Sequence, residues 1–174
     1  MIKRSDIQKI INEYTDLRIG VLGSHSALEI MDGAKDENFD TIVFCQKGRE
    51  TPYQRFSRIA NEIKVLKKFS DMSSIKNQKM LRDTNTLIVP HRSLTAYLGY
   101  KTIENSFKVP IFGNRALFQA EERNNKKNQY YLLRKAGLKH PKIFKNPKDI
   151  NRPSIVKVQE KNRKLERAFF TVSS

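Results

Sequence analysis

The sequence predicts an α/β fold: an open, mostly parallel sheet, followed by the start of a second sheet. Three observations predict it. Apolar, strand-like runs at residues 17–22, 41–45, 63–66 and 86–89 alternate with helical patterns over roughly the first 110 residues, as in a parallel sheet with crossover helices. These runs are rich in Val and Ile and do not alternate with polar residues, which fits burial on both faces. Beyond a polar helical stretch, extended runs return at residues 154–158 and 168–172.

Residues 3–15 set Ile7, Ile10 and Ile11 between charges at helical spacing, an amphipathic helix and not the apolar core of a signal peptide. After strand 17–22 the turn Gly23-Ser24-His25-Ser26 leads into a helix whose apolar positions are Ala27, Leu28, Ile30 and Met31. Ser24 or Ser26 is expected as its N-cap and Gly33 as its end. Strand 41–45 is followed by a polar loop over 47–56. Lys64 marks strand 63–66 as an edge or a half-exposed face. Helices are expected at 73–84 and 93–99, on either side of strand 86–89, which Pro90 closes. An extended segment at 109–112 ends at Gly113 and Asn114. A long polar helix then covers 115–136, with Gly137 capping it and Pro141 preventing its continuation. The organisation expected is an α/β domain over 1–120, a linking helix over 121–140, and the opening of another domain over 141–174.

Apolar content of 38% with 30% charged residues is ordinary for a soluble globular chain. No run reaches the roughly 18 apolar residues of a membrane span, so no membrane partner is expected. The single Cys45 excludes an internal disulfide and fits a reducing, cytoplasmic setting. The net charge is +16, and residues 121–174 alone hold 15 Lys/Arg against 5 Asp/Glu, so the excess sits in the last third. A polyanionic partner is implied: nucleic acid, or the phosphates of a nucleotide.

Four polar clusters stand where strands end. Gly23, Ser24 and His25 form a small-residue turn running into a helix, which suits a phosphate or serves as an ordinary βα turn. Lys47 and Arg49 flank Gly48, with Tyr53 and Arg55 nearby, as a phosphate clamp or a solvated loop. His91, Arg92 and Ser93 follow strand 86–89. Asn114 and Arg115 follow the extended segment 109–112. In a parallel sheet all four converge on one rim, and that convergence points to a small anionic ligand. Lys157, inside the short apolar run 154–158, either meets a nucleotide phosphate or guards an edge strand. His25, His91 and His140 lack metal-ligand spacing, no Walker motif occurs and no nucleophile triad can be assembled, so no catalytic residue and no metal ligand is assigned.

The peptides LGSHSALEIMDGAK, KGRETPYQRF, VPHRS, ENSFKVPIFGNR and LLRKAGLKHPKIF resemble, in order and spacing, the archaeal ligases of the 5-formaminoimidazole-4-carboxamide ribonucleotide synthetase family. The resemblance covers nearly all of this chain and about the first half of such an enzyme. It implies a pre-ATP-grasp α/β domain that binds the aminoimidazole-carboxamide ribonucleotide, then the start of an ATP-grasp domain. It implies ATP-dependent formylation of that substrate with free formate, through formyl phosphate, in purine (IMP) biosynthesis. By position His25 and Ser93 would hold the ribonucleotide, and Phe144 and Lys157 would belong to the ATP site. The Mg2+ or Mn2+ ligands are expected beyond Ser174, so this chain by itself is expected to be inactive. Two departures stand out: residues 159–167 hold no Gly where many members are glycine-rich, and Arg92 replaces an expected Gly.

Two other classes remain. A small basic nucleic-acid-binding protein is supported by the charge, although no recognition motif is present and the aromatics are dispersed. A nucleotide-sensing paralogue would keep the rim and lack turnover. A homo-oligomer is compatible with the sequence.

Overall fold

The computed structural model describes residues 1–122, 125–157 and 169–172. The chain falls into two compact units, Met1–Ala116 and Leu117–Ser174. In the first, α1 (Arg4–Asn12) precedes β1 (Arg18–Leu22), α2 (Ala27–Asp36), β2 (Asp40–Gln46), α3 (Thr51–Arg55) and β3 (Glu62–Leu66). A 3-10 turn (Phe69–Ser73) and α4 (Ile75–Asp83) lead to β4 (Thr86–Ile88), α5 (Arg92–Leu98) and α6 (Tyr100–Asn105). The strands pair in the order β3-β2-β1-β4, all parallel. Ile111 adds a parallel bridge to Ile88, so the segment at 109–112 lies outside β4. The expected parallel sheet is therefore present, with β3 and its Lys64 at an edge.

Burial on both faces explains the continuous apolar runs. Val21, Val43 and Cys45 pack with Ala27 and Met31 of α2 and with Tyr53, Ile59 and Ala60. The alternate residues Leu22, Ile42, Phe44 and Ile88 are equally buried and face the other way, because strand side chains alternate. Gly20 shares that second face. A β-carbon there would sit 2.5 Å from Thr86 Cγ2 and 2.7 Å from Ile88 Cδ1, so the neighbouring strand's side chains occupy the space. A buried polar knot closes the opposite end of the sheet. Thr41 Oγ1 donates to the Ile59 carbonyl at 2.6 Å and accepts from Asn61 N at 3.1 Å. With these partners Thr41 carries no desolvation penalty despite complete burial.

Several local expectations give way. Gly33 does not end α2, which runs to Asp36; Asn38, at φ 62°, makes the left-handed turn instead. The expected polar loop over 47–56 contains α3, started by Pro52 in its first turn and held down by buried Tyr53. The expected helix 73–84 begins as a 3-10 turn, and α4 starts only where the Ser74 hydroxyl accepts from Asn77 N. The unforeseen α6 follows Gly99, at φ 77°, and buries Ile103.

The long helix expected over 115–136 is interrupted. A 3-10 turn covers Arg115–Glu121 and α7 covers Gln129–Lys135, with residues 123–124 outside the described residues. Asn125 and Asn128 spend their side-chain oxygens on the backbone N–H groups of Lys127 and Tyr131, the local bonding that competes with helix continuation. Gly137, at φ 69°, then ends α7 as expected, with Leu138 N reaching back to Leu133 O. In this second unit β5 (Ser154–Lys157) pairs antiparallel with β6 (Phe169–Val172). The Gly-less stretch 159–167, with Val158 and Ala168 of the two expected strands, lies outside the described residues. Among the described residues no helix is long and apolar enough to cross a membrane.

Gly20→Ala is expected to destabilise the chain by about 1–3 kcal/mol through overpacking, read as a lowered urea midpoint. Thr86→Ser, which removes the methyl that the new β-carbon meets, should recover part of that loss in the double variant.

Candidate functional site

The strand order places a topological switch between β1 and β4: the chain winds outward through β2 and β3, then crosses back to build on the other side of β1. In open α/β sheets the carboxyl ends at such a point form a crevice. Both turns there are short and polar. Gly23 and Ser24 leave β1, and His91 and Ser93 leave β4. Ser93 Oγ donates to Ser24 Oγ at 3.2 Å, so residues 69 positions apart meet directly.

The turn after β1 is braced on two sides. Gly23 is buried, and its N–H donates to the Phe44 carbonyl of β2 at 2.7 Å. A β-carbon on Gly23 would lie 3.0 Å from that carbonyl oxygen and 3.1 Å from both Cys45 Sγ and Tyr53 Cε2, closer than ordinary contact. Cys45 and Tyr53 thus press the turn flat from below. Burial pushes both the Cys45 thiol and the Tyr53 phenol up to about 12, so neither ionises near neutral pH. On the other side His91 Nε2 lies 2.8 Å from the Leu22 carbonyl.

His25 is exposed at the tip, at φ 36°, a conformation that side chains other than glycine rarely adopt. Its Nδ1 lies 2.7 Å from Ser26 Oγ. The N–H groups of Gly23 and Ser24 are taken by the Phe44 and Leu22 carbonyls, while among the described residues no backbone carbonyl accepts from His25 N or Ser26 N. Two unengaged amides beside a left-handed residue, two touching serine hydroxyls and an imidazole make a donor-rich rim suited to an anion.

The other residues singled out in the sequence fare differently. Lys47 and Arg49 follow β2 at the same sheet edge and are exposed; the Arg49 guanidinium carbon lies 5.6 Å from the Phe69 ring centroid. Asn114 is exposed beyond the Ile111 bridge and its Oδ1 accepts from Ala116 N. Arg115 is turned into the protein. Its Nη1 donates to the Ile103 and Phe107 carbonyls at 2.5 and 2.6 Å, and its Nη2 to the Val109 carbonyl at 2.6 Å. Burial lowers the guanidinium to about 10, still cationic at neutral pH. Its donors are committed to ordering residues 103–109 and not to the rim.

In the second unit Phe144 is half-buried, with Lys142 Nζ 4.8 Å from its ring centroid. Lys157 is exposed on β5, so the burial cost expected from its apolar neighbours does not arise. An exposed ammonium with no carboxylate against it among the described residues is chemically suited to a nucleotide phosphate. Among the described residues no group of three His, Cys, Asp or Glu side chains gathers to hold a metal ion. His91 stands in the third polar cluster read from the sequence, but its contact with the end of β1 was not foreseen there. Its signal was positional: a His directly after a strand-closing Pro, two residues before a Ser, has N-cap spacing.

Replacing Arg115 by Met should lower stability by at least about 2 kcal/mol, because three buried carbonyls lose a charged donor. Ligand affinity at the rim, measured by calorimetry below the variant's melting temperature, should stay unchanged.

Comparison with known proteins adds a second line. The model of a family described as "Protein of unknown function (DUF1246)" matches residues 19–144. A relative from Methanopyrus kandleri, named 5-formaminoimidazole-4-carboxamide-1-(beta)-D-ribofuranosyl 5'-monophosphate synthetase, is 46% identical over 159 residues, 90% of this chain and 44% of that protein. A protein of the same name from Methanothermobacter thermautotrophicus is 41% identical over 175 residues, 99% of this chain and 47% of that protein. The crystal structure of an IMP biosynthesis protein PurP from Thermococcus kodakaraensis superposes with a TM-score of 0.54 at 28% identity, covering 85% of this chain and 41% of that one. The chain spans less than half the length of these relatives.

Proposed function

The chain belongs to the DUF1246 family, whose curated relatives carry the synthetase name, and on that premise we propose that it is the N-terminal, ribonucleotide-binding part of an ATP- and formate-dependent ligase. Its substrate would be aminoimidazole-carboxamide ribonucleotide, formylated in purine (IMP) biosynthesis in the cytoplasm. The observation that carries the reading is the meeting of Ser24 and Ser93 at the β1/β4 switch point.

The division of labour follows from the chemistry of the rim. The free amides and the serine hydroxyls donate to the phosphorylated sugar or to the carboxamide oxygen, and they need no reorganisation because the turn is braced from below. His25, exposed at the tip, adds a donor or acceptor. Lys47 and Arg49 supply a cationic margin that draws a phosphorylated ligand in. ATP supplies the phosphoryl group that activates formate; Lys157 and Phe144 are the residues of this chain proposed to contact it, with Mg2+ or Mn2+ held by residues outside this chain. What the first unit contributes is orientation of the substrate amine.

The reading is supported by relatives with the synthetase name at 39–46% identity and by the contact at the switch point of Ser24 with Ser93, a residue that the resemblance singles out. The basic charge of +16 alone would also suit a nucleic-acid partner.

The test is thermal denaturation of the 174-residue chain with and without the ribonucleotide. At a concentration 100 times the dissociation constant, stabilisation of about 2.7 kcal/mol is expected, lost or strongly reduced in Ser93→Ala. No shift with the ribonucleotide, together with salt-steep binding of DNA or RNA, would overturn the reading. Binding without turnover in the full-length parent protein would instead identify a sensing paralogue.

A further inference from the structure

We propose that His91 is a positioning residue of the rim: its neutral imidazole, protonated on Nε2, ties the β4–α5 turn to the end of β1 and thereby sets Ser24 against Ser93.

The tautomer follows from the partners. A carbonyl oxygen only accepts, so the 2.8 Å contact to Leu22 O requires the proton on Nε2. A backbone N–H only donates, so the 3.3 Å contact from Ser93 N requires a bare Nδ1. One neutral ring satisfies both, and the imidazolium cannot. The ring therefore does two jobs. It caps α5 through Nδ1, and through Nε2 it crosses the switch point to the last residue of β1. Leu22 O also accepts from Ser24 N at 2.8 Å, so the same carbonyl gathers the rim residue and its brace. With Phe44 O holding Gly23 from the β2 side, the turn after β1 is pinned from both neighbouring strands. Ser24 Oγ and Ser93 Oγ are the groups whose separation this geometry sets, at 3.2 Å.

The charge environment favours the same neutral form. Burial lowers the His91 pKa most, the bond to Leu22 raises it, His25 from the turn after β1 lowers it and Glu29 from α2 raises it; the net direction is down. A histidine depressed in the fold adds stability that is complete above its unfolded value near 6.5, and that stability declines as pH falls below it.

The inference rests on the proposed ribonucleotide reading, but its test separates the two. Imidazole 1H–15N correlations on the 174-residue chain should show neutral His91 as the Nε2–H tautomer, titrating below the ordinary imidazole range. His91→Asn keeps an oxygen to accept from Ser93 N and so preserves the cap, but it is too short to reach Leu22 O. It should shift the amide resonances of residues 23–26 and weaken ribonucleotide binding about tenfold. The wild-type chain should bind more weakly as pH falls below the ordinary imidazole range, and His91→Gln, whose amide nitrogen reaches the Nε2 position and does not titrate, should recover most of the affinity and show less of that weakening. An Nδ1–H ring, unmoved amides at 23–26, or wild-type affinity in His91→Asn each overturns the proposal. If the wild-type chain binds no ribonucleotide while the tautomer and amide shifts appear as expected, the substrate is wrong and the brace stands. Should His91→Asn fail to fold, the tautomer and the His91→Gln pH profile decide.

Discussion

Everything at the rim depends on β1 being the strand that both halves of the sheet share. Parallel pairing sends the carboxyl ends of β2, β1 and β4 to one edge, and the reversal of strand order puts the gap between β1 and β4. Gly20 lets this happen. With no side chain there, Thr86 and Ile88 close against β1, and two turns with small polar residues come within hydrogen-bond distance. A bulkier residue at position 20 would push β4 away and separate the serines it was folded to bring together.

The rim offers hydrogen-bond donors more than fixed charge. The cations near the site divide their roles: Lys47, Arg49 and Arg92 are exposed, and Arg115 is spent on three backbone carbonyls. What remains at the centre is hydroxyls, two amides and imidazole rings. Such a site discriminates by unpaired donors, since a ligand lacking the matching acceptor leaves buried polar groups unsatisfied. The strain at His25 has a counterpart in this. A left-handed tip residue is held only because the turn below it is fixed by Gly23, Cys45 and Tyr53.

Elements whose formation is local and periodic were legible in the sequence. The parallel strands follow from unbroken Val and Ile runs between helical patterns, and the edge position of β3 from Lys64. Helix ends were less legible, because they depend on which residue can take positive φ at a given step. Gly33 could end α2 and does not, since Asn38 meets the same need later. The failed helix over 115–136 has the same cause in reverse: Asn125 and Asn128 offer the backbone side-chain acceptors, and composition alone does not say whether they will be used. For the site, the convergence of loops was readable from topology. Side-chain direction was not. Arg115 and His91 both follow strand-like segments in polar clusters, yet one is committed to the interior and the other bridges the crevice.

The two units differ in what holds them. The first buries Phe44, Phe69, Phe107 and most of β1 and β2. The second pairs β5 with β6 but leaves Ile155 60%, Phe169 56% and Phe170 56% exposed. A two-stranded ladder without a covered apolar face is marginal in water. Folding stability in this chain must therefore come mainly from the first unit, where the rim is built. A lysine such as Lys157, on a strand that carries little stability of its own, is free to be tuned for a ligand, whereas Gly23 and His91 are bound to serve fold and rim together.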